Sequence, residues 1–466
     1  MSQRVWLHRL QGAAATLICI LLLAQPASAM KIQQITSPGG IQAWLVEEHS
    51  VPLIAMHFGF KGGTAQDPEA KAGVGHFLTS ILDEGAGELS AEQFHEQMED
   101  LAVKMAFDAG RDTFSASFQT LSANRDPAFD LLRLALTKPR FEAEAVERMR
   151  AQLLAAMAFG EKDPERVATR EWFKQVYGEH PYGQPTEGTK ETIAKIDRND
   201  LETYRSRVFA RDTLKITVVG DIDARTLGPL LDTVFGGLAA KAQLKLVPRA
   251  ADVVGPKQKI IEMNVPQSVA HFGHAGFLRK DPDFMAAFVL NYIIGGGGFS
   301  SRLMEEVREK RGLAYGISTY LYTFDQSGLY SGSVATKNEA INTSLDVIRA
   351  ELKRMADNGP TDEELTNAKS YQTGSYPLRF DTNSKIASQL LGVQMEDLGI
   401  DYVDKRNSLI EAVTLADIKR VAQRLLKPDG LVVTIVGKPT AAATEAKPPS
   451  GQPAPAEVRA TPLGKS

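Results

Sequence analysis

Cysteine is nearly absent from this 466-residue chain, which contains only Cys19. A disulfide framework needs cysteines in pairs and a cysteine-rich zinc site needs several, so the count excludes both. An excess of one charge is also missing, because 53 Lys and Arg residues nearly balance 57 Asp and Glu residues. Composition therefore gives no reason to expect binding to nucleic acid or to an anionic membrane surface.

What is present is the composition of an ordinary folded protein. Hydrophobic residues make up 43% of the sequence and charged residues 24%, which is typical of globular domains. The chain is also longer than one domain usually is. We therefore expect about two globular domains.

The first 29 residues have the pattern of a secretory signal peptide. Arg4 and Arg9 precede the apolar stretch 13–23, and Ala27-Ser28-Ala29 offers a small-residue cleavage site. A membrane anchor is the alternative, but the stretch is shorter than the roughly 20 residues that span a bilayer. The pattern predicts export, most simply to a bacterial periplasm, and no membrane segment in the mature protein.

The body of the chain is an internal repeat. Landmarks of the first half recur 214 residues later, namely Val51-Pro52 at Val265-Pro266, His57 at His271 and Asp67-Pro68 at Asp281-Pro282. The repeat predicts two copies of one domain, over 30–240 and 257–440, joined by a linker at 241–256. The Ala- and Pro-rich tail at 441–466 is expected to be disordered.

Both copies have the same order of predicted elements. Apolar alternation and capping signals predict strands followed by helices, with one apolar strand closing each copy. The predicted strands are 41–46, 53–60, 113–121 and 214–219 in the first copy and 259–263, 268–274, 314–322 and 431–436 in the second. The predicted fold is α+β, with two homologous α/β sandwich domains, each a mixed sheet with helices on one face.

A short segment of the first copy resembles a metal-binding motif. Residues 73–80, Gly-Val-Gly-His-Phe-Leu-Thr-Ser, are similar to the start of the H-x-x-E-H helix of the pitrilysin, insulysin and mitochondrial-processing-peptidase family of inverted zinc peptidases. In that motif two histidines hold zinc and the glutamate activates the metal-bound water. Here His76 matches the first histidine, but Thr79 replaces the glutamate and Ser80 the second histidine.

The third ligand that the resemblance implies is missing as well. The family places a glutamate about 75–80 residues downstream, where this chain has the acid-free stretch 153–157. A lone histidine cannot hold zinc usefully, so we expect no metal on this chain and read His76 as a packed or solvated residue. His57 is interpreted as a structural strand residue, and His95 as part of a solvated helix face.

The resemblance extends over nearly the whole mature chain. His180-Pro181-Tyr182-Gly183 with Glu187-Gly188-Thr189 is similar to the family's H-P-Y-x-x-P-x-x-G-T stretch, and 218–221 to its closing strand. In the second copy, Arg308 and Tyr315 are seven residues apart, like the family's arginine and tyrosine that face the zinc site of the other half.

The resemblance implies a role for this pair. A tyrosine hydroxyl can donate to the oxyanion that develops on a scissile carbonyl, and an arginine can hold a substrate carbonyl. The alternative is that Arg308 and Arg311 are ordinary exposed helix charges and that Tyr315 lies at a sheet edge.

Four consecutive glycines, Gly295, Gly296, Gly297 and Gly298, precede this pair. They do not form a phosphate-binding loop, because Ser300-Ser301-Arg302 follows instead of Lys-Ser/Thr. In the family, a Gly-rich segment here belongs to a zinc-less subunit that recognises substrate. The alternative is an ordinary helix N-terminus after a buried helix.

The resemblance therefore implies half of an active site. We expect a subunit that binds no cofactor itself and is inactive alone, completing the zinc site of a homologous H-x-x-E-H partner in a periplasmic heterodimer that hydrolyses peptides. A peptide-binding pseudopeptidase, acting as a chaperone or scaffold without a catalytic partner, remains the alternative. A self-sufficient hydrolase is disfavoured, since the mature chain has no cysteine and no G-x-S-x-G motif.

Overall fold

The computed structural model describes residues 30–253 and 255–440. The predicted signal peptide and the predicted tail lie outside these residues. Strands occur over Gln33–Thr36, Gln42–Glu47, Leu53–Lys61, Lys104–Ala109, Thr113–Leu121, Lys215–Gly220, Lys257–Glu262, Gln267–Ala275, Ala314–Phe324, Ser327–Lys337 and Val432–Gly437, labelled β1 to β11 in this order.

The α-helices are labelled α1 to α14 in chain order. They span Val74–Thr79, Ala91–Asp100, Arg125–Thr137, Ala143–Gly160, Pro164–Tyr177, Lys190–Ile193, Arg198–Val208, Ala224–Phe235, Phe284–Asn291, Ile341–Asn358, Asp362–Gly374, Asn383–Met395, Tyr402–Glu411 and Leu415–Leu425. Two π-helical segments, Tyr292–Gly296 and Met304–Glu309, lie between α9 and β9. In the part of the chain that is described, no helix is both long and apolar enough to cross a membrane.

The strands form two sheets of matching order. The first sheet runs β1-β2-β6-β3-β5-β4 and the second β7-β11-β8-β10-β9. In each, the closing strand pairs in parallel with one neighbour, β6 with β2 and β11 with β7, while the other pairs are antiparallel. The predicted mixed α/β fold with two homologous domains is confirmed.

Large apolar side chains occupy every second position of β3 because they fill the first hydrophobic core. Ile54, Met56, Phe58 and Phe60 point to one face, where they pack against helices of the first half, and Phe58 meets Phe235 of α8 edge to face at 5.1 Å. Alternate residues of a strand face opposite sides of the sheet. The second core has the same construction around Ala270 and Phe272 of β8, so the repeat seen in sequence is a repeat of packing.

The expectation of helices on only one face is incomplete. Helix α5, which follows the first half's α4, crosses to the outer face of the second sheet, where the Trp172 indole donates to the Val432 carbonyl at 3.0 Å. Helix α12 of the second half covers the outer face of the first sheet, where the Gln394 amide donates to the Ile216 carbonyl at 2.8 Å. β6 and β11 are buried along most of their lengths, so both sheets need cover on both faces.

The histidines at equivalent positions of the two copies contact these two helices, each of which covers the sheet of the other half. His57 on β3 lies 3.0 Å from the Ser384 hydroxyl of α12, and His271 on β8 lies 3.0 Å from the Thr169 hydroxyl of α5. Both contacts are therefore structural and join one half to a helix from the other. Burial lowers the pKa of His57.

Candidate functional site

Helix α1 carries the three motif positions and is held at its start by a buried carboxylate. Gly73 precedes the helix with a φ of 90°, and a Cβ there would lie 2.6 Å from the Glu187 carbonyl oxygen. The Asp67 carboxylate accepts from the Gly73 and Gly75 amides at 2.8 and 3.2 Å. Burial raises the pKa of Asp67 to about 8, opposed by these amide hydrogen bonds.

The two replaced positions end the helix instead of presenting ligands. The Thr79 hydroxyl donates to the His76 carbonyl at 2.6 Å, and the Ser80 hydroxyl donates to the Phe77 carbonyl at 2.8 Å. Such local side-chain bonds compete with continuation of a helix, and α1 stops at Thr79. Both hydroxyls are thus engaged with backbone, and neither is directed at a shared ligand.

His76 stands without further metal ligands. Burial lowers its pKa, while the carboxylates of Glu187 and Asp108 act in the opposite direction. Glu187 is itself bound by Arg166, at 2.6 Å. Among the residues described, no three His, Cys, Asp or Glu side chains are grouped so that they could hold a metal ion, so zinc does not fit this site.

The downstream stretch and the other histidine agree with their sequence interpretation. Leu153, Leu154 and Met157 of α4 pack against the first core. His95 is exposed on α2. Neither segment brings a ligand to His76.

A cavity of about 700 Å³ lies beside this region and is lined by side chains of both charges. Arg111 is its most buried cation. The guanidinium lies 3.8 Å from the centre of the Phe173 ring, and Nε donates to the Tyr182 carbonyl at 3.0 Å. Burial lowers the pKa of Arg111 to about 10. Sequence reasoning missed this residue, because no motif distinguishes it from other arginines.

In the second half, the segment that carries Arg308 is a π-helix, over Met304–Glu309. Single π-turns are rare and recur at functional sites. Glu306 in this turn binds Lys310, Arg311 and Arg354 at 2.7 to 3.3 Å. The Lys310 hydrogen bond in particular, opposed by burial, lowers the pKa of Glu306 to about 2. Arg311 is therefore an exposed, ion-paired residue, as one alternative predicted, but it lies in the turn after the π-helix and not in a helix.

Arg308 differs from its neighbours because it lacks a strong partner. Its guanidinium stacks over the Phe299 ring at 4.5 Å, and its Nε is 3.6 Å from a Glu309 carboxylate oxygen. Nη1 is buried and meets no acceptor among the described residues. An unmet buried donor costs free energy, so Arg308 is poised for an acceptor.

Tyr315 protrudes from the edge strand of the second sheet. Gly316 pairs with Ala335 and Ala314 with Thr336, so Tyr315 is the extra residue of a β-bulge. Bulges change the direction of a side chain and are common near active sites. The ring is 83% exposed, which leaves its hydroxyl available to a partner molecule.

A tight turn joins these two residues. The Gly312 amide donates to the Arg308 carbonyl at 2.8 Å, and the Leu313 amide to the Val307 carbonyl at 2.9 Å. Gly312 has a φ of 60°, which glycine adopts without strain. The structure thus ties Arg308 and Tyr315 to one turn, while no hydrogen bond or ion pair of the described residues joins them to the His76 region.

The glycine run ends one helix, and the short 3-10 helix Gly298–Ser300 begins within it. Gly295 and Gly296 close the π-helical continuation of α9. Gly295 is buried against β9, and a Cβ there would lie 2.6 Å from the Thr319 hydroxyl. Gly298 is exposed with a φ of 59° and open space around it. The first glycine serves packing, and only the later ones can approach a ligand.

Two family descriptions match consecutive parts of the sequence. "Insulinase (Peptidase family M16)" matches residues 46–190, and "Peptidase M16 inactive domain" matches residues 195–371. The first match contains the His76 helix and the second contains Arg308 and Tyr315.

Curated relatives are similar along most of their lengths. A protein named non-peptidase homolog YmxG, from Helicobacter pylori, is 28% identical over 378 residues, which cover 80% of this chain and 86% of that protein. An uncharacterized zinc protease from Mycobacterium tuberculosis is 27% identical over 412 residues, covering 86% of this chain and 92% of its own.

Solved structures share the fold. A peptidase M16 inactive domain from Pseudomonas fluorescens superposes with a TM-score of 0.84 at 27% identity, covering 89% of this chain and 99% of its own. A protease from Helicobacter pylori has a TM-score of 0.80 at 18% identity, covering 88% and 100% respectively.

Proposed function

We propose, on the premise that this chain belongs to the M16 (insulinase-type) peptidase family, that it is the zinc-less subunit of a two-subunit zinc peptidase. The partner would be a homologous chain with an intact H-x-x-E-H helix, and the pair would hydrolyse peptides. The observation that carries this proposal is the state of Arg308, whose buried Nη1 has no acceptor in the described residues.

The roles of the two residues follow from their chemistry. The exposed Tyr315 hydroxyl can donate to the oxyanion that forms at the partner's zinc. The Arg308 side chain is 31% exposed, so its guanidinium can hold a substrate carbonyl. The later glycines of the run, Gly297 and Gly298, leave backbone accessible near Phe299 and can line the path of a peptide.

The first half contributes no chemistry of its own in this proposal. Thr79 cannot act as a general base, and its hydroxyl already donates to the His76 carbonyl. The expected location is the periplasm. That part of the proposal rests on the signal-peptide pattern of residues 1–29.

The direct test is reconstitution. The mature chain should be co-expressed with an H-x-x-E-H relative from the same genome, and the mixture analysed by size-exclusion chromatography and by cleavage of an unstructured reporter peptide. We expect co-elution, negligible cleavage by this chain alone, and chelator-sensitive cleavage by the pair.

Two outcomes would contradict the proposal. Chelator-sensitive cleavage by the isolated chain would show that it carries its own metal site. Absence of co-elution, together with full activity of the relative alone, would favour the chaperone or scaffold alternative. Suppression of aggregation of an unfolded protein by the isolated chain would then test that alternative.

A further inference from the structure

A second cavity, of about 430 Å³, lies in the second half and away from the residues discussed above. Its walls come from α9, from the 3-10 turn Tyr376–Phe380, from α12 and α13, and from the middle of β9. Its volume is within the range of pockets that hold small molecules.

The charges around this cavity do not balance. Three arginines line it, and only Arg279 is neutralised, because its Nε donates to the Glu396 carboxylate at 2.6 Å and its Nη2 to the Tyr402 hydroxyl at 2.8 Å. Within residues 30–253 and 255–440, neither Arg379 nor Arg406 has an ion-pair partner. The lining therefore carries an excess of two positive charges.

Arg406 is the unusual member of this set, because it is only 5% exposed. Its Nη1 donates to the Gln372 carbonyl at 3.1 Å and to the Asn407 amide oxygen at 3.0 Å. Its guanidinium also lies 4.0 Å from the centre of the Tyr376 ring. Nε and Nη2 meet no acceptor among the residues that the structure describes, although neither atom is sealed from solvent.

Burying a cation without a counter-charge is costly. Burial lowers the pKa of Arg406, and the charge of Arg379 nearby lowers it further. A protein that serves only packing would place an apolar residue or an ion pair here. Here the buried guanidinium has two donors without acceptors in the described part of the chain, and it lines a cavity. This arrangement indicates a binding site for an anion.

The rest of the lining selects a ligand with an apolar body. Phe284, Phe288, Tyr376 and Tyr402 supply aromatic surface around the arginines. We propose that this cavity binds a small organic anion, with a carboxylate or phosphate group on Arg406 and Arg379 and an aromatic or apolar body against the rings. The site is separate from Arg308 and Tyr315, so it does not depend on the proposed peptidase role.

The test is calorimetric titration of the mature full-length chain with three probes. N-acetylphenylalanine carries the carboxylate, phenyl phosphate carries the phosphate, and N-acetylphenylalanine amide is the neutral control of the same shape. We expect one or both anions to bind with a dissociation constant below about 1 mM, and the amide to bind at least about tenfold more weakly. Comparison of the two anions identifies the preferred head group.

Variants connect the binding to the arginines. Arg406→Gln should weaken anion binding at least about tenfold, and Arg379→Gln should weaken it several-fold. Arg349→Gln is the matched control, since Arg349 is a partly exposed arginine of α10 that does not line the cavity, and it should bind like wild type. Circular dichroism shows whether Arg406→Gln is folded, and the exposed Arg379 gives an independent variant if it is not.

The proposal is overturned if neither anion binds at millimolar concentration, or if the amide binds as tightly as the acid. It is equally overturned if Arg379→Gln and a folded Arg406→Gln bind the anions with wild-type affinity. Because the measurement needs no partner chain, failure here leaves the heterodimer proposal untouched, and failure of reconstitution leaves this one untouched.

Discussion

The His76 helix and the Arg308–Tyr315 turn are the two places where the sequence resembles catalytic elements of the family, and they differ in how their polar groups are satisfied. On α1, the Thr79 and Ser80 hydroxyls both donate to carbonyls one turn earlier. On the turn, Nη1 of Arg308 is buried and has no acceptor among the residues with described positions, and Tyr315 projects from a bulge into solvent.

The polar groups of the first place are paired within the protein, whereas those of the second place are left for a bound molecule to pair with. Folded proteins satisfy nearly all buried polar groups, and each exception calls for a reason. Among the described residues, no motif position of the first half has such an atom, whereas the second half has three, and Nη1 of Arg308 is the one at a motif position. Internal hydrogen bonding thus distinguishes the two halves more clearly than the presence or absence of a motif residue does.

Replacing the tyrosine hydroxyl should give the largest effect. Tyr315→Phe keeps the ring and removes one donor to the oxyanion, so kcat of the reconstituted pair should fall by about 10²–10³ with assembly unchanged. Tyr371→Phe is the control, because Tyr371 is an exposed tyrosine stacked on Tyr292, and its kcat should stay at the wild-type value. A wild-type kcat for Tyr315→Phe would contradict the role of Tyr315 as a donor to the oxyanion.

Removing the unmet guanidinium should give the next largest effect, mainly in KM. Arg308→Ala should raise KM about 10- to 100-fold, since a hydrogen bond from a charged group contributes to substrate binding in ground and transition states alike. The melting temperature should not fall, because the buried donor without an acceptor is removed with the side chain. Steady-state kinetics and a melting curve check both, with Arg349→Ala as the control; an unchanged KM would contradict the role.

The buried Asp67 should make the first half sensitive to pH. Burial raises its folded pKa to about 8, so between about pH 4 and pH 8 the unfolded chain loses a proton that the folded chain keeps. Stability from this group is therefore full at low pH and falls as pH rises through that window. Between pH 5 and pH 8, wild type should lose at least about 1 kcal/mol more of its free energy of unfolding than Asp67→Asn.

The second copy supplies the control for that measurement. Asp281 occupies the equivalent Asp-Pro position but binds Arg424 at 2.7 Å. Asp281→Asn should keep the wild-type fall in stability over the same range, as measured by denaturant titration at each pH. Parallel curves for wild type and Asp67→Asn would show that the carboxylate ionises freely in the folded protein.

Restoring the motif on α1 should have the smallest effect, namely none on metal content. Thr79→Glu combined with Ser80→His supplies two of the missing groups, but 153–157 still offers no acid and α1 ends at this point. Elemental analysis should find less than stoichiometric zinc in wild type and in the double variant. One tightly held zinc per chain in the double variant would show that these two residues are enough to restore a metal site.

Much of the fold could be predicted because local pattern and packing agree. The strand at 113–121 matches β5 residue for residue, and capping boxes of the kind that such signals predict precede α2 at Ser90 and α11 at Thr361. The 214-residue repeat indicated two copies of one domain, and five strands of each sheet follow the same order, with β1 added to the first sheet. In each case the signal is contained within a few neighbouring residues or in a recurrence of them.

The missed features depend on contacts between distant residues. The apolar face of α5 or α12 predicts that the helix is buried, but not which sheet covers it. The bulge at Tyr315 arises from a shift in the pairing register between β9 and β10, and the π-turn at Arg308 has no sequence signature. The roles of Arg308, Tyr315 and the glycines remain predictions, since only the kinetic experiments above test them.

The exchanged helices also bear on how such a gene can change. A duplicated gene usually leaves one copy free to decay or to be deleted. Here deletion of the first half would remove α5 and with it the indole that donates to Val432 of the second sheet, while deletion of the second would uncover β6. Selection for folding alone would therefore retain the first half, although its described residues form no metal site.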